Sequence, residues 1–324
     1  MIEPTQDGAG RGMVSRRRLM ASAAVGGAGV ALALGAGGYF TARSLGVGTG
    51  ASPAPAVTGF TIVQISDTHI GFDTAGVNPD AAGTFKQVVD HINAMPQRPA
   101  LVVHTGDVTH LAKPAQFDTA QQILKTIKAD KILYLPGEHD TIGDKGAAFR
   151  QRFIGTTRDH DYFSLDMNGA HIIGLSNIGI EDKFGVLGNV QLAWLQKDLQ
   201  SVNRDTPILI FAHVPLFPVY PPWGWTTSDS GPMMEMLRPF SSVTVLNGHI
   251  HQSISHTVGN IRFHISRAVS FPQHRPGDGA SGAYKLPADE LPHLLGFQTT
   301  MVVPDALETV VYDTTLATPA APPQ

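Results

Sequence analysis

The chain has 324 residues, 42% of them hydrophobic, enough for one large domain or two ordinary ones and for a substantial buried core. Its formal net charge of −4 argues against the broad cationic surface that nucleic-acid binding requires. It has no cysteine, which excludes disulfides, thiolate zinc sites and cysteine nucleophiles, so any metal must be held by nitrogen and oxygen.

Residues 1–56 read as an address followed by a linker. Arg16, Arg17 and Arg18 precede an uncharged, Ala/Gly-rich, weakly apolar stretch from Leu19 to about Phe40. A basic segment followed by an apolar one is the pattern of an export signal. The paired arginines and low hydrophobicity resemble a twin-arginine signal. That route implies the twin-arginine export machinery as a partner and a periplasmic, extracellular or membrane-tethered destination. It carries folded proteins, which suits a protein that takes up metals before export. The stretch is long enough to span a bilayer, so an uncleaved signal would tether the protein, but its glycines make it a poor anchor. Ala54-Pro55-Ala56 offers small residues for cleavage, with the mature domain, 57–324, beginning near Val57.

From Phe60 strands and helices alternate. Residues 60–66 form an apolar run ending at Asp67, and 80–95 place Ala82, Phe85, Val88, Val89 and Ile92 at helical spacing. A second strand, 101–104, ends at Gly106-Asp107. A helix over 115–128 leads to a third strand, 131–135, ending at Gly137-Glu138. The rhythm then changes: 162–165 and 171–175 read as a hairpin across Asn168-Gly169. A helix over 189–202 follows, with Leu192, Leu195 and Leu199 on one face. Strands 208–211 and 243–246 run into His213 and His249, and the tail from 256 to 313 alternates strand-like runs with Pro/Gly-rich loops. Crossovers in one half and hairpins in the other imply one domain of two packed sheets with helices outside.

Five of these apolar strands thus end in an acid or an imidazole. The motifs are Asp67-Thr68-His69, Gly106-Asp107, Gly137-Glu138-His139-Asp140, Ala212-His213 and Gly248-His249-Ile250-His251. Taken singly each is a weak signal, and a lone Gly-Asp is almost worthless. In this order, each at the C-terminal lip of a strand, they describe a rim of ligands on an α/β sheet. Asp67 and His69 are two apart on an extended segment, so their side chains point the same way, and His249 and His251 have the same geometry. Asp107 can bridge two ions through its two oxygens, and Glu138 and His213 add one ligand each. The set Asp67, His69, Asp107, Glu138, His213, His249 and His251 suits two ions sharing a carboxylate, the arrangement that clamps a phosphoryl group. His139 is placed to protonate a leaving oxygen or to hold phosphate charge, with Asp140 to orient it.

The ordered motifs resemble those of the calcineurin-like metallophosphoesterases, whose pattern is D-x-H, G-D, G-N-H-D/E, H and G-H-x-H. The likeness covers about 60 to 255 and extends to Leu187-Gly188-Asn189-Val190-Gln191-Leu192-Ala193-Trp194-Leu195. It implies a four-layer α/β/β/α sandwich of two mixed sheets with outer helices. It also implies two divalent or mixed-valence ions (Mn, Fe or Zn) and a small phosphoester substrate, a phosphodiester or monoester, attacked in line by a metal-bridging hydroxide. By similarity Asp67, His69 and His251 bind the first metal, Glu138, His213 and His249 the second, and Asp107 bridges. The Asp-Arg-Gly of the phosphoprotein-phosphatase branch is absent after Asp107, and the pattern is nearest to the cyclic-nucleotide phosphodiesterase-like branch. One position departs from the family: Glu138 stands where Asn is usual. A charged oxygen on a longer arm favours a harder or more highly charged ion, and the alternative is a metal-binding relative with weak or no turnover.

Other residues are ambiguous in the sequence. His110 has the position of a tyrosine ligand in purple acid phosphatases and reads either as an added ligand or neighbour of the first metal or as a loop histidine. His104 reads as core or as support beneath the ligands. His91, His160, His171, His256, His264, His274 and His293 fit surface or strand positions without a metal role. Tyr220, Trp223 and Trp225 either stack on an apolar leaving group or cap the core.

Overall fold

The computed structural model describes residues 30–34, 40–44, 59–155, 160–180 and 183–319. The arginines and cleavage site of the expected signal, most of its linker, and the boundary between it and the domain lie outside the described residues. Two short strands from that region, Val30–Leu34 (β1) and Phe40–Ser44 (β2), pair antiparallel with each other. Among the described residues no helix is long and apolar enough to cross a membrane.

The first sheet of the domain is built from β3 (Phe60–Ile65), β4 (Leu101–His104) and β5 (Ile132–Tyr134), parallel to one another. Two helices, α1 (Ala81–Asn93) and α2 (Pro114–Leu124), make the crossovers. Asp80 caps α1 by accepting the Gly83 N–H at 2.7 Å. α2 stops short of the expected 128, because the N–H groups of Thr126 and Ile127 turn back to the carbonyls of Ile123 and Leu124. After β5 comes a short helix, Ala147–Phe149 (α3).

The second sheet begins with the hairpin β6 (Phe163–Met167) and β7 (Ala170–Gly174), as the Asn168-Gly169 turn predicts. A small ribbon, β8 (Ile178–Ile180) with β9 (Lys183–Phe184), precedes α4 (Gly188–Leu199). Then follow β10 (Ile208–Ala212), α5 (Gly231–Leu237), β11 (Val243–Asn247), β12 (Ile254–Val258) and β13 (Ile261–Ile265). The sequence reading missed α5, although Pro232 in its first turn and Met233 and Leu237 one turn apart are its signals. Finally β14 (Gly296–Val303) and β15 (Glu308–Thr315) return to the first sheet, β14 pairing antiparallel with β3. The strand orders are β15-β14-β3-β4-β5 and β12-β13-β11-β10-β7-β6, both mixed.

Side-chain alternation assigns the layers. On β3, β4, β10 and β11, Ile62, Leu101, Val103, Leu209, Phe211 and Leu246 point into a core between the sheets. Their neighbours face outward. Val63, Ile65 and Val102 pack under α1 and α2, and Ile208, Ile210, Val243 and Val245 pack under α4 and α5. Strands buried on both faces explain the unbroken apolar runs. The result is the expected α/β/β/α sandwich. Gln64 stitches the sheets together: its side-chain nitrogen donates to Thr105 Oγ1 and to the Asn247 carbonyl, both at 3.0 Å.

Candidate metal centre

The parallel strands β3, β4 and β5 and the parallel pair β10 and β11 deliver their following loops to one rim. Asp67, His69 and His251 bring one ligand atom each within 4.8 Å of one another, and Glu138, His213 and His249 do the same. Asp107 stands between the groups: its Oδ2 lies 3.3 Å from His69 Nε2 and 3.5 Å from His213 Nε2. Every one of these residues is buried except Glu138, which is partly so.

The local conformation differs from the extended one expected. Asp67, His69, Asp107, His249 and His251 all have positive φ, between 40° and 71°. The left-handed region costs a non-glycine residue about 1–3 kcal/mol, and such strain clusters at functional sites. The side chains converge because the chain turns at each one, and alternation along a strand plays no part. Crowding fixes the adjoining glycines. A Cβ on Gly106, whose φ is 110°, would lie 2.6 Å from the Gly137 nitrogen, and one on Gly248 would meet Ser66 Oγ.

Hydrogen bonds orient the imidazoles. His213 Nδ1 lies 2.8 Å from the Thr105 carbonyl and His251 Nδ1 lies 2.6 Å from the Phe271 carbonyl. Each Nδ1–H donates there, which leaves Nε2 as the atom that offers a lone pair once the ring is neutral. Glu138 reaches toward two histidines, with Oε1 2.8 Å from His249 Nδ1 and Oε2 2.9 Å from His213 Nε2. Yet Glu138 Oε2, His213 Nε2 and His249 Nδ1 are all buried without hydrogen-bond geometry to any partner. Buried polar atoms left unpaired in this way cost about 1–3 kcal/mol each, and a cation among them satisfies all three. The donor set of imidazole nitrogen and carboxylate oxygen fits a transition-metal or zinc ion.

The electrostatics carry the same demand for positive charge. Burial raises the carboxyls of Asp67 and Glu138, but the histidines beside them outweigh it and hold both well below the ordinary range. Burial disfavours a proton on His213, yet Asp107 and Glu138 keep its pKa well above the usual imidazole value. His69, buried and facing His251 and His139, is pushed well below it.

His139 lies on the short 3₁₀ turn Glu138–Thr141 at the edge of the site. Its Nδ1–H donates to the His110 carbonyl at 2.6 Å, and its backbone N–H donates to Asp107 Oδ1 at 2.9 Å. Burial lowers its pKa, but Asp107 and the His110 carbonyl more than offset that and raise it. No hydrogen bond joins the Asp140 carboxylate to the His139 ring; it accepts from the backbone N–H groups of Val108, Thr109 and Gly137 and from Thr109 Oγ1, at 2.8–3.1 Å. It therefore clamps the turn carrying Asp107 onto the turn carrying Glu138. Burial and then the Asp107 charge push its carboxyl up to about 7, against the pull of those donors.

His110 belongs to the site: its Nδ1 is 3.3 Å from His69 Nδ1, and its ring stacks on His139 with centroids 5.0 Å apart. His104 is buried beneath the ligands, its Nε2 3.0 Å from Thr68 Oγ1. Over the ligands lies a cavity of about 370 Å³ walled by Phe72, Phe184, Trp223, Trp225 and Phe271. Trp223 and Trp225 line this cavity and also pack in or against the core under α4, whereas Tyr220 packs against that core without lining the cavity. Phe72, Phe184 and Phe271 carried no signal in the sequence; loops holding Phe72 and Phe271 and the short strand β9 supply them.

A four-layer sandwich with paired acid–imidazole clusters at its strand ends defines a metal-dependent phosphoric ester hydrolase. The family model described as calcineurin-like phosphoesterase matches residues 60–253, and the chain belongs to that family. A probable cyclic nucleotide phosphodiesterase of Rhodococcus erythropolis is 25% identical over 241 residues, covering 68% of this chain and 77% of that protein. One of Rhodopseudomonas palustris is 29% identical over 219 residues, covering 64% and 77%. In fold, the chain is similar to the crystal structure of a dimetal phosphatase from Danio rerio, with a TM-score of 0.57 at 16% identity over 79% of this chain and 96% of the other.

Proposed function

We propose that the chain is a dinuclear-metal phosphodiesterase. The observation that carries this reading is Asp107 Oδ2, 3.3 Å from a histidine of one cluster and 3.5 Å from a histidine of the other. Asp67, His69 and His251 would hold one ion, Glu138, His213 and His249 the other, with Asp107 shared between them. Two such ions supply Lewis acidity on the phosphoryl oxygens and bring the pKa of water toward neutrality. Around them the protein's own groups position the ester. His139, held by the His110 carbonyl, presents its free ring nitrogen to the leaving oxygen as proton donor or hydrogen-bond donor. The aromatic walls exclude water and favour an aryl or otherwise flat ester group. The names of the two bacterial relatives support a diester over a monoester.

The experiment is to measure metals bound to the purified protein. It is then assayed with Mn²⁺, Fe²⁺ or Zn²⁺ on bis(4-nitrophenyl) phosphate and on 4-nitrophenyl phosphate. Two metal equivalents and faster diester cleavage are expected. The second reading, a metal-binding relative with little turnover, is favoured by Glu138, whose two oxygens span both histidines of the second cluster. Two bound metals with neither ester hydrolysed would establish it. Export by a twin-arginine route is part of the same proposal, resting on the Arg16-Arg17-Arg18 sequence. An intact mass of exported protein lacking about the first 56 residues is expected for a cleaved signal.

A further inference from the structure

A second cavity, of about 740 Å³, lies beside the first, and the two share a wall made of Trp225, His251 and Gln273. Gln273 is fixed in that wall, because its side-chain nitrogen donates to the His249 carbonyl at 3.0 Å. Two arginines, Arg267 and Arg275, line the larger cavity together with one carboxylate, Asp278. Arg267 is loosely paired. Its Nε is buried without a hydrogen-bond partner, and Asp313 Oδ2 is 4.0 Å away. Asp313 is already engaged, since Gln298 Nε2 donates to it at 2.9 Å and Ser253 Oγ also donates to it.

We infer that the larger cavity receives the retained alcohol of a phosphodiester and that this alcohol ends in a second anionic group, carboxylate or phosphate, paired with Arg267 and Arg275. The inference rests on the phosphodiesterase reading and names the substrate class of that site. His251, Trp225 and Gln273 border both cavities, so a phosphorus atom at the metal rim beside His251 would have one ester arm facing the aromatic walls and the other entering the larger cavity past these residues. The volume of the larger cavity exceeds what an ethyl or methyl arm would fill. Guanidinium forks bind carboxylate and phosphate through paired N–H donors, which supplies discrimination by charge as well as by length.

The test uses a series of linear alkyl 4-nitrophenyl phosphates of increasing chain length, ending in methyl, carboxylate or phosphate. All release the same 4-nitrophenolate. For the metal-loaded parent, a KM about tenfold lower for an anionic end than for the methyl end of equal length is expected, equivalent to about 1.4 kcal/mol. Comparing the carboxylate and phosphate arms tells which anion is preferred. In Arg267→Gln that preference falls about tenfold through KM with kcat held, and Arg267→Lys restores part of it. If the parent cleaves the methyl-ended diesters but shows no preference for an anionic end, the inference fails and the phosphodiesterase reading stands. The same holds if Arg267→Gln and Arg275→Gln both keep the preference. If no diester is cleaved, the reading beneath it fails and removes the inference too.

Discussion

His69 Nε2 and His251 Nε2 face each other at 3.3 Å, although 182 positions separate the two residues in the chain. Since His251 donates its Nδ1–H to the Phe271 carbonyl, its Nε2 offers a lone pair. Asp67 Oδ1 lies 3.3 Å from the same nitrogen. A cation held in common satisfies the three together. His251→Ala is therefore expected to lose one of two metal equivalents, as measured by elemental analysis, while Glu138, His213 and His249 keep the other. Retention of both metals would remove His251 from the ligand set.

Glu138 brings a full negative charge where a neutral amide is usual in the family. The charge is strongly held, because His249 and His213 outweigh the burial that would raise its pKa. Glu138→Asn is expected to weaken the second ion's binding by about 10–100-fold, or to change which metal binds best, and to alter kcat. Metal titrations on parent and variant with Mn²⁺ and Zn²⁺ check this. Identical metal content and kinetics would show that Glu138 is not a ligand.

Asp140 joins two ligand-bearing turns through four accepted hydrogen bonds and never touches the His139 ring in this way. Asp140→Ala leaves three backbone N–H groups at a buried position without an acceptor. A stability loss of about 3 kcal/mol or more is expected from the unpaired donors. Metal affinity should fall with it, since both turns loosen. Urea denaturation of the metal-free protein isolates the first effect. A variant with parent stability but a shifted pH–rate profile would restore the orienting role that the sequence suggested.

The ligands themselves were legible in the sequence because each closes an apolar strand, and strand ends are where an α/β sheet presents its loops. The hairpin at Asn168-Gly169 was equally plain, being set by turn chemistry between neighbours. What escaped notice depended on distant partners. Nothing local to Phe271 says that its carbonyl will hold His251, and nothing in Gly296–Val303 says that it will pair with β3 rather than with the strand before it. The left-handed turns at Asp67 and His249 were also hidden: Asp and His enter that region more readily than most residues, but the preference is too weak to mark which of them will. His171 read as an ordinary strand or surface residue; it is buried between two carboxylates.

His139 is the residue expected to separate chemistry from metal binding. Its ring is tied to the His110 carbonyl, and its backbone N–H donates to Asp107 Oδ1. His139→Ala is expected to keep both metals and lower kcat by about 10²–10⁴-fold on an ester with a poor leaving group. The loss should shrink with 4-nitrophenolate, which needs little protonation to depart. Equal losses on both esters would assign His139 to holding phosphate charge instead.

His171 makes a prediction away from the metals. Its Nδ1 is 2.7 Å from Asp166 Oδ1 and its Nε2 is 2.8 Å from Asp198 Oδ2, and only the imidazolium can donate to both. Burial lowers its pKa, but the hydrogen bonds it donates to Asp198 and then Asp166 outweigh burial and raise it. Burial raises Asp198, but hydrogen bonds from His171 and Ser164 outweigh that and lower it. A raised histidine stabilises the fold fully below its unfolded value of about 6.5 and loses that contribution as pH climbs through the folded value. A lowered aspartate stabilises above its unfolded value of about 3.9 and loses the contribution as pH falls through the folded value. The pair thus contributes most between about pH 4 and 6.5. The Tm gap between parent and His171→Gln, followed from pH 5 to 9, is expected to be widest near the acid end and to close as pH rises. A gap independent of pH would mean that the neutral ring supplies only packing.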